Sequence, residues 1–374
     1  MNTKTIRSRQ HAGRKMWLQP ALLLLLSALA APLFAQSQIL MYQGADRTQK
    51  LIEGAKKEGA LTLYSSMTER DTSNVVRAFE EKYGVKVGVW RSGKDKVLQR
   101  VISEGRAGRD AADVVWNVGP EMEALHREKM LQPAWSPMLK NLIPQAVQKH
   151  GEWAGAMVYI FVQAYNPKRV TKEELPRTWD DLLDPRWKGR LGIEFKQQEW
   201  FYRLLTVLGE KKGLDLFHKL VATNGLSVRM GSSVLANSVM TGETDFAVTM
   251  YSFLVDQGKA RGGDIEAVAL APTIALTDGL GIPKNIKHPY GAMLFYDFLL
   301  GDGQKILSDN LVATTTRGDP VVARFMPVYI EPAKVLDDYA RWTKLYDDTI
   351  RGTGAVGGAG AGGGGAAAAA PGKS

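Results

Sequence analysis

Three strand–loop–helix units follow one another between residues 60 and 119, and this repetition constrains the fold more than any other feature of the chain. Residues 60–64 (ALTLY) form a short apolar run that reads as a strand and breaks into Ser65-Ser66-Met67-Thr68. A helix opening near Asp71 or Thr72 places Val75, Val76, Phe79 and Tyr83 on one face, and Gly84 stops it. Residues 85–90 give the second strand, followed by Arg91-Ser92-Gly93 and a helix over 94–104. Residues 113–116 give the third, ending at Asn117 and Gly119. Such alternation packs as α/β layers, with the carboxyl ends of the strands on one rim where ligands bind. The small polar residues fall on that rim.

The ends of the chain read differently. Arg7, Arg9, Arg14 and Lys15 precede an apolar run from Ala21 through Leu26, Leu29 and Ala31, and Ala35 offers a small residue before polar Gln36-Ser37-Gln38. A basic start, a short apolar core and a small residue at the cut are the marks of an export signal. The core is short for a membrane span. Residues 1–35 are therefore expected to be a signal peptide cleaved near Ala35, and the mature chain to work in the periplasm. Residues 351–374, almost all Gly and Ala beyond position 354, read as a disordered tail.

Composition narrows the chemistry. Cleavage leaves about 339 residues, enough for two lobes with their own cores. The chain has no cysteine, which excludes disulfide staples, thiol catalysis, thiolate metal sites and a cysteine-linked lipid anchor. The formal charge is +9, but the leader carries five of the basic residues, and the remainder are scattered among acids without a basic block. Nucleic-acid binding finds no footprint in this pattern.

Beyond Tyr165 the elements change. A helix over 180–183 is stopped by Asp184-Pro185, and a strand over 190–194 follows Lys188-Gly189. Helices are expected over 198–208 and 214–221, an extended piece over 227–229, and a helix opened by Gly231-Ser232-Ser233. Residues 245–251 read as a buried strand, 265–269 and 275–282 as strands returning toward the first half, and 334–348 as a final helix.

Several segments resemble periplasmic substrate-binding proteins of ABC importers, in the iron(III)-type branch of extracellular solute-binding family 1. They are Tyr165-Asn166-Pro167, the run from Leu175-Pro176-Arg177-Thr178-Trp179 to Asp184-Pro185-Arg186-Trp187-Lys188-Gly189, and Thr241-Gly242-Glu243-Thr244-Asp245-Phe246-Ala247. His288-Pro289, Phe295 to Phe298 and Gly303-Gln304-Lys305-Ile306-Leu307 add to them, and together they span most of residues 45–320. The resemblance implies a two-lobed α/β fold of the type II periplasmic binding class with two hinge crossover strands. Lobe 1 would be discontinuous, residues 40–164 plus 284–350, with lobe 2 over 165–283. It further implies a monomer that closes on a small solute and delivers it to a membrane permease, with no catalysis and no resident cofactor.

For the ligand, the rim residues suggest an organic or oxyanionic anion such as a carboxylate or phosphonate. Ser65, Ser66 and Thr68 bring hydroxyls to one helix start, Arg91 and Ser92 close the second loop, and Asn117 the third. Arg229, Ser232 and Ser233 repeat the arrangement in the second half, with Tyr251 capping the site. Helix starts and guanidinium forks hold such anions well. Each residue also has a plainer reading: Ser232 and Ser233 as helix caps, Arg229 paired with Glu243 or Asp245, Arg91 as solvated surface, Tyr251 as core. Trp179, Trp187 and Trp200 read as packing residues.

The alternative is ferric iron. The resembled iron-binding members use phenolates from adjacent tyrosines after the Gly-Glu block, and Tyr251 stands at the matching place, but its neighbour is Ser252. Their histidine beyond the first strand is also missing: the histidines are His11, His126, His150, His218 and His288. Tyr64, Tyr202, Glu69 or a small anion would have to stand in. A solute sensor would use the same fold and cleft. An enzyme finds no Gly-x-Ser-x-Gly elbow, no His-Glu-x-x-His and no placed base for its serines.

Overall fold

The computed structural model describes residues 38–109 and 111–351. The expected signal peptide and the Gly/Ala tail from residue 352 onward lie outside the described residues. In chain order the first elements are α1 (Arg47–Glu58), β1 (Ala60–Ser65), α2 (Glu69–Tyr83), β2 (Lys86–Arg91), α3 (Lys94–Arg106), β3 (Val114–Val118) and α4 (Gly119–Arg127). Then come the short β4 (Leu131–Gln132) and β5 (Trp153–Ala154), β6 (Val158–Tyr165), β7 (Leu191–Glu194), α5 (Gln198–Leu208), α6 (Glu210–Asn224) and β8 (Ser227–Arg229). α7 (Ser232–Met240), β9 (Phe246–Tyr251), α8 (Ser252–Ala260), β10 (Glu266–Val268) and β11 (Ile274–Pro283) follow. The last are α9 (Pro289–Leu300), α10 (Asp302–Asp309), α11 (Pro320–Phe325), β12 (Val328–Tyr329), α12 (Pro332–Asp337) and α13 (Tyr339–Tyr346).

One sheet path runs β2-β1-β3-β11-β6-β9-β7-β8. β1 lies parallel to both β2 and β3, and β7 parallel to both β8 and β9. Between these groups sit β11 and β6, antiparallel to each other and to their outer neighbours β3 and β9. The result is α/β and bilobed: two parallel βα wings joined through a central antiparallel pair. All eight residues of β6 and all ten of β11 are buried, as strands covered on both faces must be.

The wings take their helices from the expected amphipathic faces. Phe79 on α2 meets Phe295 and Phe298 of α9 edge-on, at ring separations of 5.1 and 5.4 Å. Gly84 ends α2 at φ 70°, a left-handed position that a side chain would strain. In the other wing Trp179, Trp200 and Phe217 form one buried aromatic cluster, and Trp187 lies against Phe246 at 5.0 Å. These tryptophans are core, as expected.

Three differences from the sequence reading have physical causes. The piece over 180–183 is a single 3₁₀ turn, because Pro185 follows too soon for an α-helix to propagate. The final helix expected over 334–348 is broken between α12 and α13 at Asp338 and ends in a π turn, Asp347–Arg351. The break lets α12 pack on α4 while α13 packs on α5, so this segment ties the two wings. Finally, β6 and α4 were not anticipated from the sequence. β6 is an apolar run broken by Gln163, without period-two alternation, and α4 opens on Gly119-Pro120, which looks like a turn.

Candidate functional site

A cavity of about 450 Å³ opens between the wings, above the carboxyl ends of β1, β7 and β9. From the first wing it is lined by Ser66, Thr68, Gly93, Lys94 and Asp95. From the second come Glu194, Lys196, Gln197, Glu199, Ser232, Ser233 and Tyr251, and Tyr159 on β6 forms part of the floor.

The first wall is a set of loops fixed by side chains. Thr68 is the N-cap of α2: its hydroxyl accepts the Asp71 N–H at 3.2 Å and donates to the Asp71 carboxylate at 2.6 Å. Ser66 donates to Asn117 Oδ1 at 2.6 Å, and Asn117 Nδ2 donates to the Lys94 carbonyl at 3.1 Å. Asn117 therefore lies behind the wall and sets two of its members. Ser65 is fully buried, its Oγ accepting the Met67 N–H at 3.1 Å and lying 3.3 Å from the Thr72 hydroxyl. Ser65 and Asn117 position the cavity rather than line it.

The second wall is built on carboxylates. Glu194, at the end of β7, accepts the Lys196 N–H at 2.5 Å and the Gly231 N–H at 3.0 Å. Burial pushes its carboxyl up, against the pull of these two donors. Gly231, at φ 103°, is the N-cap residue of α7 and makes no side-chain cap, so Glu194 supplies the negative charge that this helix start attracts. Ser232 and Ser233 are therefore not the caps; they sit at the cavity edge, half-buried and exposed respectively.

Lys94 joins the walls. Its ammonium lies 3.2 Å from Glu121 on α4 and is ion-paired to Glu199 on α5. Burial lowers its affinity for the proton, but the two carboxylates outweigh burial and hold it well above the usual lysine range. Burial raises the Glu121 carboxyl to about 7, with Lys94 opposing and Glu199 reinforcing the shift, and Glu121 Oε2 has no hydrogen-bond partner. Tyr251 ends β9 with its ring stacked on Phe253 at 5.7 Å and tilted against Tyr159 at 4.8 Å. Burial pushes its phenol up, partly offset by Lys94, and Gln197 hydrogen-bonds to it.

The two arginines expected to grip an anion do not reach the cavity. Arg229 donates to Ser227 Oγ at 2.6 Å and to Glu243 at 2.8 Å, because its short strand β8 leaves those partners nearest. Arg91 lies in a separate open depression with Glu69, Arg77 and Glu80, its guanidinium donating to the Met67 carbonyl at 3.4 Å, and Ser92 is held by its backbone to the Ser65 carbonyl at 3.1 Å. Of the ten expected contacts, Ser66, Thr68, Ser232, Ser233 and Tyr251 come together around the cavity; Ser65, Arg91, Ser92, Asn117 and Arg229 stand outside its lining.

The stand-ins considered for iron are also elsewhere. Tyr64 is buried beside Trp90, its hydroxyl donating to Glu104 at 3.0 Å, and burial raises it to about 12. Tyr202 packs on Trp342 at 4.9 Å, and Glu69 faces the Arg91 depression. Among the described residues no histidine lines the cavity. His126 and His150 stack at 3.8 Å at the far end of α4, flanked by Glu152 and Glu123. His150 Nδ1 accepts the Glu152 N–H at 3.1 Å, which commits that nitrogen to the backbone.

Sequence reasoning missed Lys94, Asp95, Glu194, Lys196, Gln197, Glu199 and Tyr159. Lys94 does follow a predicted strand and opens a predicted helix, a signal that could have found it. Glu194 and Glu199 gave none, since buried and solvated glutamates look alike in a sequence.

The profile of the family described as bacterial extracellular solute-binding protein matches residues 112–329. The Fe(3+)-binding periplasmic protein of Serratia marcescens is 26% identical over 273 residues, covering 69% of this chain and 79% of its own. Iron uptake protein A1 of Synechocystis sp. is 25% identical over 292 residues, covering 73% and 80%. Among solved structures, iron-bound HitA from Pseudomonas aeruginosa superposes with a TM-score of 0.68 at 26% identity, covering 78% of this chain and 99% of that one.

Proposed function

This chain belongs to the bacterial extracellular solute-binding protein family, and on that premise we propose that its cargo is ferric iron, captured at Tyr251 in the cavity between the wings. Proteins of this family bind solutes without turning them over and hand them to the membrane permease of an ABC importer, outside the inner membrane. Export by a leader cut near Ala35, and closure about β6 and β11 as hinge strands, belong to the same proposal.

The observation that carries the cargo assignment is the charge and donor inventory of the cavity. Its anionic side-chain donors are all oxygen, the acids Asp95, Glu194 and Glu199 outnumber Lys94 and Lys196, and neither arginine that would serve an anion is part of the lining. The helix start that would bind an oxyanion in the second wall already holds Glu194. A hard trivalent cation prefers anionic oxygen, and its charge can displace the proton from a buried phenol that no weaker partner would ionise. Relatives named for ferric iron support the same reading. The chain departs from a paired-tyrosine site in having Ser252 beside Tyr251, so Glu194 and Glu199 are the nearest acidic donors, and the cavity has room for a small anion beside the metal.

Anaerobic purification followed by ferric citrate titration tests this. Bound iron should give a visible phenolate-to-iron absorption that Tyr251→Phe abolishes, with at least a tenfold loss of affinity. An organic acid retained in native mass spectrometry, without iron and without colour, would replace this reading by that of an anion carrier.

A further inference from the structure

The last described segment crosses from one wing to the other. α12 rests on the first wing. Its Val335 is buried, and Arg127 at the end of α4 donates to the Ala333 carbonyl and to the Asp337 carboxylate, both at 2.8 Å. A side chain at Gly119, where α4 begins, would meet Pro332 at 3.2 Å. α13 rests on the second wing. Gln198 on α5 donates to the Tyr339 hydroxyl at 2.6 Å, Trp342 packs on Tyr202 at 4.9 Å, and Arg341 is ion-paired to Glu210 on α6. Tyr346 lies against Phe201 at 5.4 Å and donates to the carbonyl of Glu194, a residue of the cavity wall.

The anchors on the two wings stand two residues apart. Asp337 is held by Arg127 and Tyr339 by Gln198, with Asp338 between them at φ −126° and ψ 28°, outside both helices. Two residues of extended chain reach about 7 Å at most. Where the segment crosses, the wings cannot part further without tearing α12 or α13 from a packed face. β6 and β11 carry the chain across elsewhere, within the sheet. A rigid-body rotation leaves only its axis unmoved. Wings joined at two separate places, one in the sheet and one among the helices, therefore turn about the line through both.

We propose that residues 332–351 form a third hinge, a strap that pivots at Asp338 and holds its own edge of the cleft at constant width through capture and release. α12 then follows the first wing and α13 the second, and the cleft opens and admits cargo only at the edge away from the strap. The inference rests on closure about β6 and β11, and it holds whether the cargo is iron or an anion.

The chain has no cysteine, so introduced cysteines take spin labels cleanly. Glu128→Cys with Lys211→Cys makes a strap pair, one residue from Arg127 and one from Glu210. Arg70→Cys on α2 with Asn237→Cys on α7 makes a rim pair, on the two helices whose starts edge the cavity. All four positions are exposed. Pulsed EPR distances are measured on the full mature chain, alone and with ferric citrate. Alone, the rim pair should spread at least twice as widely as the strap pair. On loading, the rim pair should shorten by more than ~2 Å and the strap pair should move by less than ~1 Å, the scales of a domain rearrangement and of a rigid body. Inserting four glycines between Asp338 and Tyr339 slackens the strap without removing either anchor, and should widen the strap-pair distribution about twofold. A strap pair as broad as the rim pair, one that moves as far on loading, or one that ignores the insertion would overturn the strap alone. A rim pair as narrow as the strap pair and unmoved by ferric citrate would overturn closure about β6 and β11 as well.

Discussion

The wall descending from β1 and β3 presents hydroxyls that neighbouring side chains hold in place, beside Lys94 and Asp95, whereas the wall descending from β7 and β9 presents both glutamates of the cavity and a phenol beside Ser232 and Ser233. In the first wall the organising group, Asn117, stays behind the surface and is neutral. In the second the organising group, Glu194, lines the cavity and carries charge while holding the backbone at Lys196 and Gly231. A neutral scaffold can be rebuilt around a lost bond, but a wall whose scaffold is also a cargo-facing acid loses shape and charge together. Glu194→Ala should therefore weaken cargo roughly 100-fold and Asn117→Ala roughly tenfold, as expected from a charged and a neutral hydrogen-bonding group worth about 1.5–3 and about 0.5–1.5 kcal/mol. Isothermal titration of both variants decides it, and equal losses would mean that the walls work alike.

How far each wall was legible in the sequence follows the same divide. Ser66 and Thr68 sit between a strand and a helix, and capping demands short hydroxyl side chains there, so their place on the rim could be read directly. Ser232, Ser233 and Tyr251 were found for a similar reason, being at the ends of β8 and β9. Arg91 and Arg229 misled because a guanidinium at a strand end can reach in several directions, and only the folded neighbours Ser227 and Glu243 decide which. Lys94 and Glu199 lie 105 positions apart, and nothing local in either segment announces that they meet. The first wing was plain from its βα alternation, while the joining strand β6 was hidden because burial on both faces erases the alternation that marks a strand.

Glu121 belongs to the first wing but answers to the second, and pH separates the two influences. Burial raises its carboxyl to about 7, above the value near 4.5 expected when unfolded, so the folded chain binds this proton more tightly. The stability it contributes is complete below pH ~4.5 and is lost as pH rises through about 7. Unfolding free energy measured by urea between pH 5 and 8 should fall with rising pH, by no more than about 1.4 kcal/mol per pH unit for one proton. Glu121→Gln should flatten that slope in part, since burial also raises Asp278 to about 7 and its share remains. Glu199→Gln removes a negative charge that helps raise Glu121 and should flatten the slope less than Glu121→Gln does. An unchanged slope in both variants would show that Lys94 alone keeps Glu121 ionised.

The smallest expected effect is the sharpest test of how the walls differ. Arg229 is spent on Ser227 and Glu243 within its own wing, and Arg91 faces the depression with Glu69 and Glu80. Neither guanidinium contributes charge at the cavity surface, and exposed ion pairs of this kind add little to stability. Arg229→Ala and Arg91→Ala should each leave cargo affinity within about twofold and unfolding free energy within about 1 kcal/mol, by the usual range for surface substitutions and exposed pairs. A cleft built to hold an anion would behave otherwise, because an arginine able to swing away from Glu243 toward a bound carboxylate would add a bidentate contact. A tenfold or greater loss in Arg229→Ala would therefore show that the second wall rearranges on binding to bring this guanidinium to the cargo.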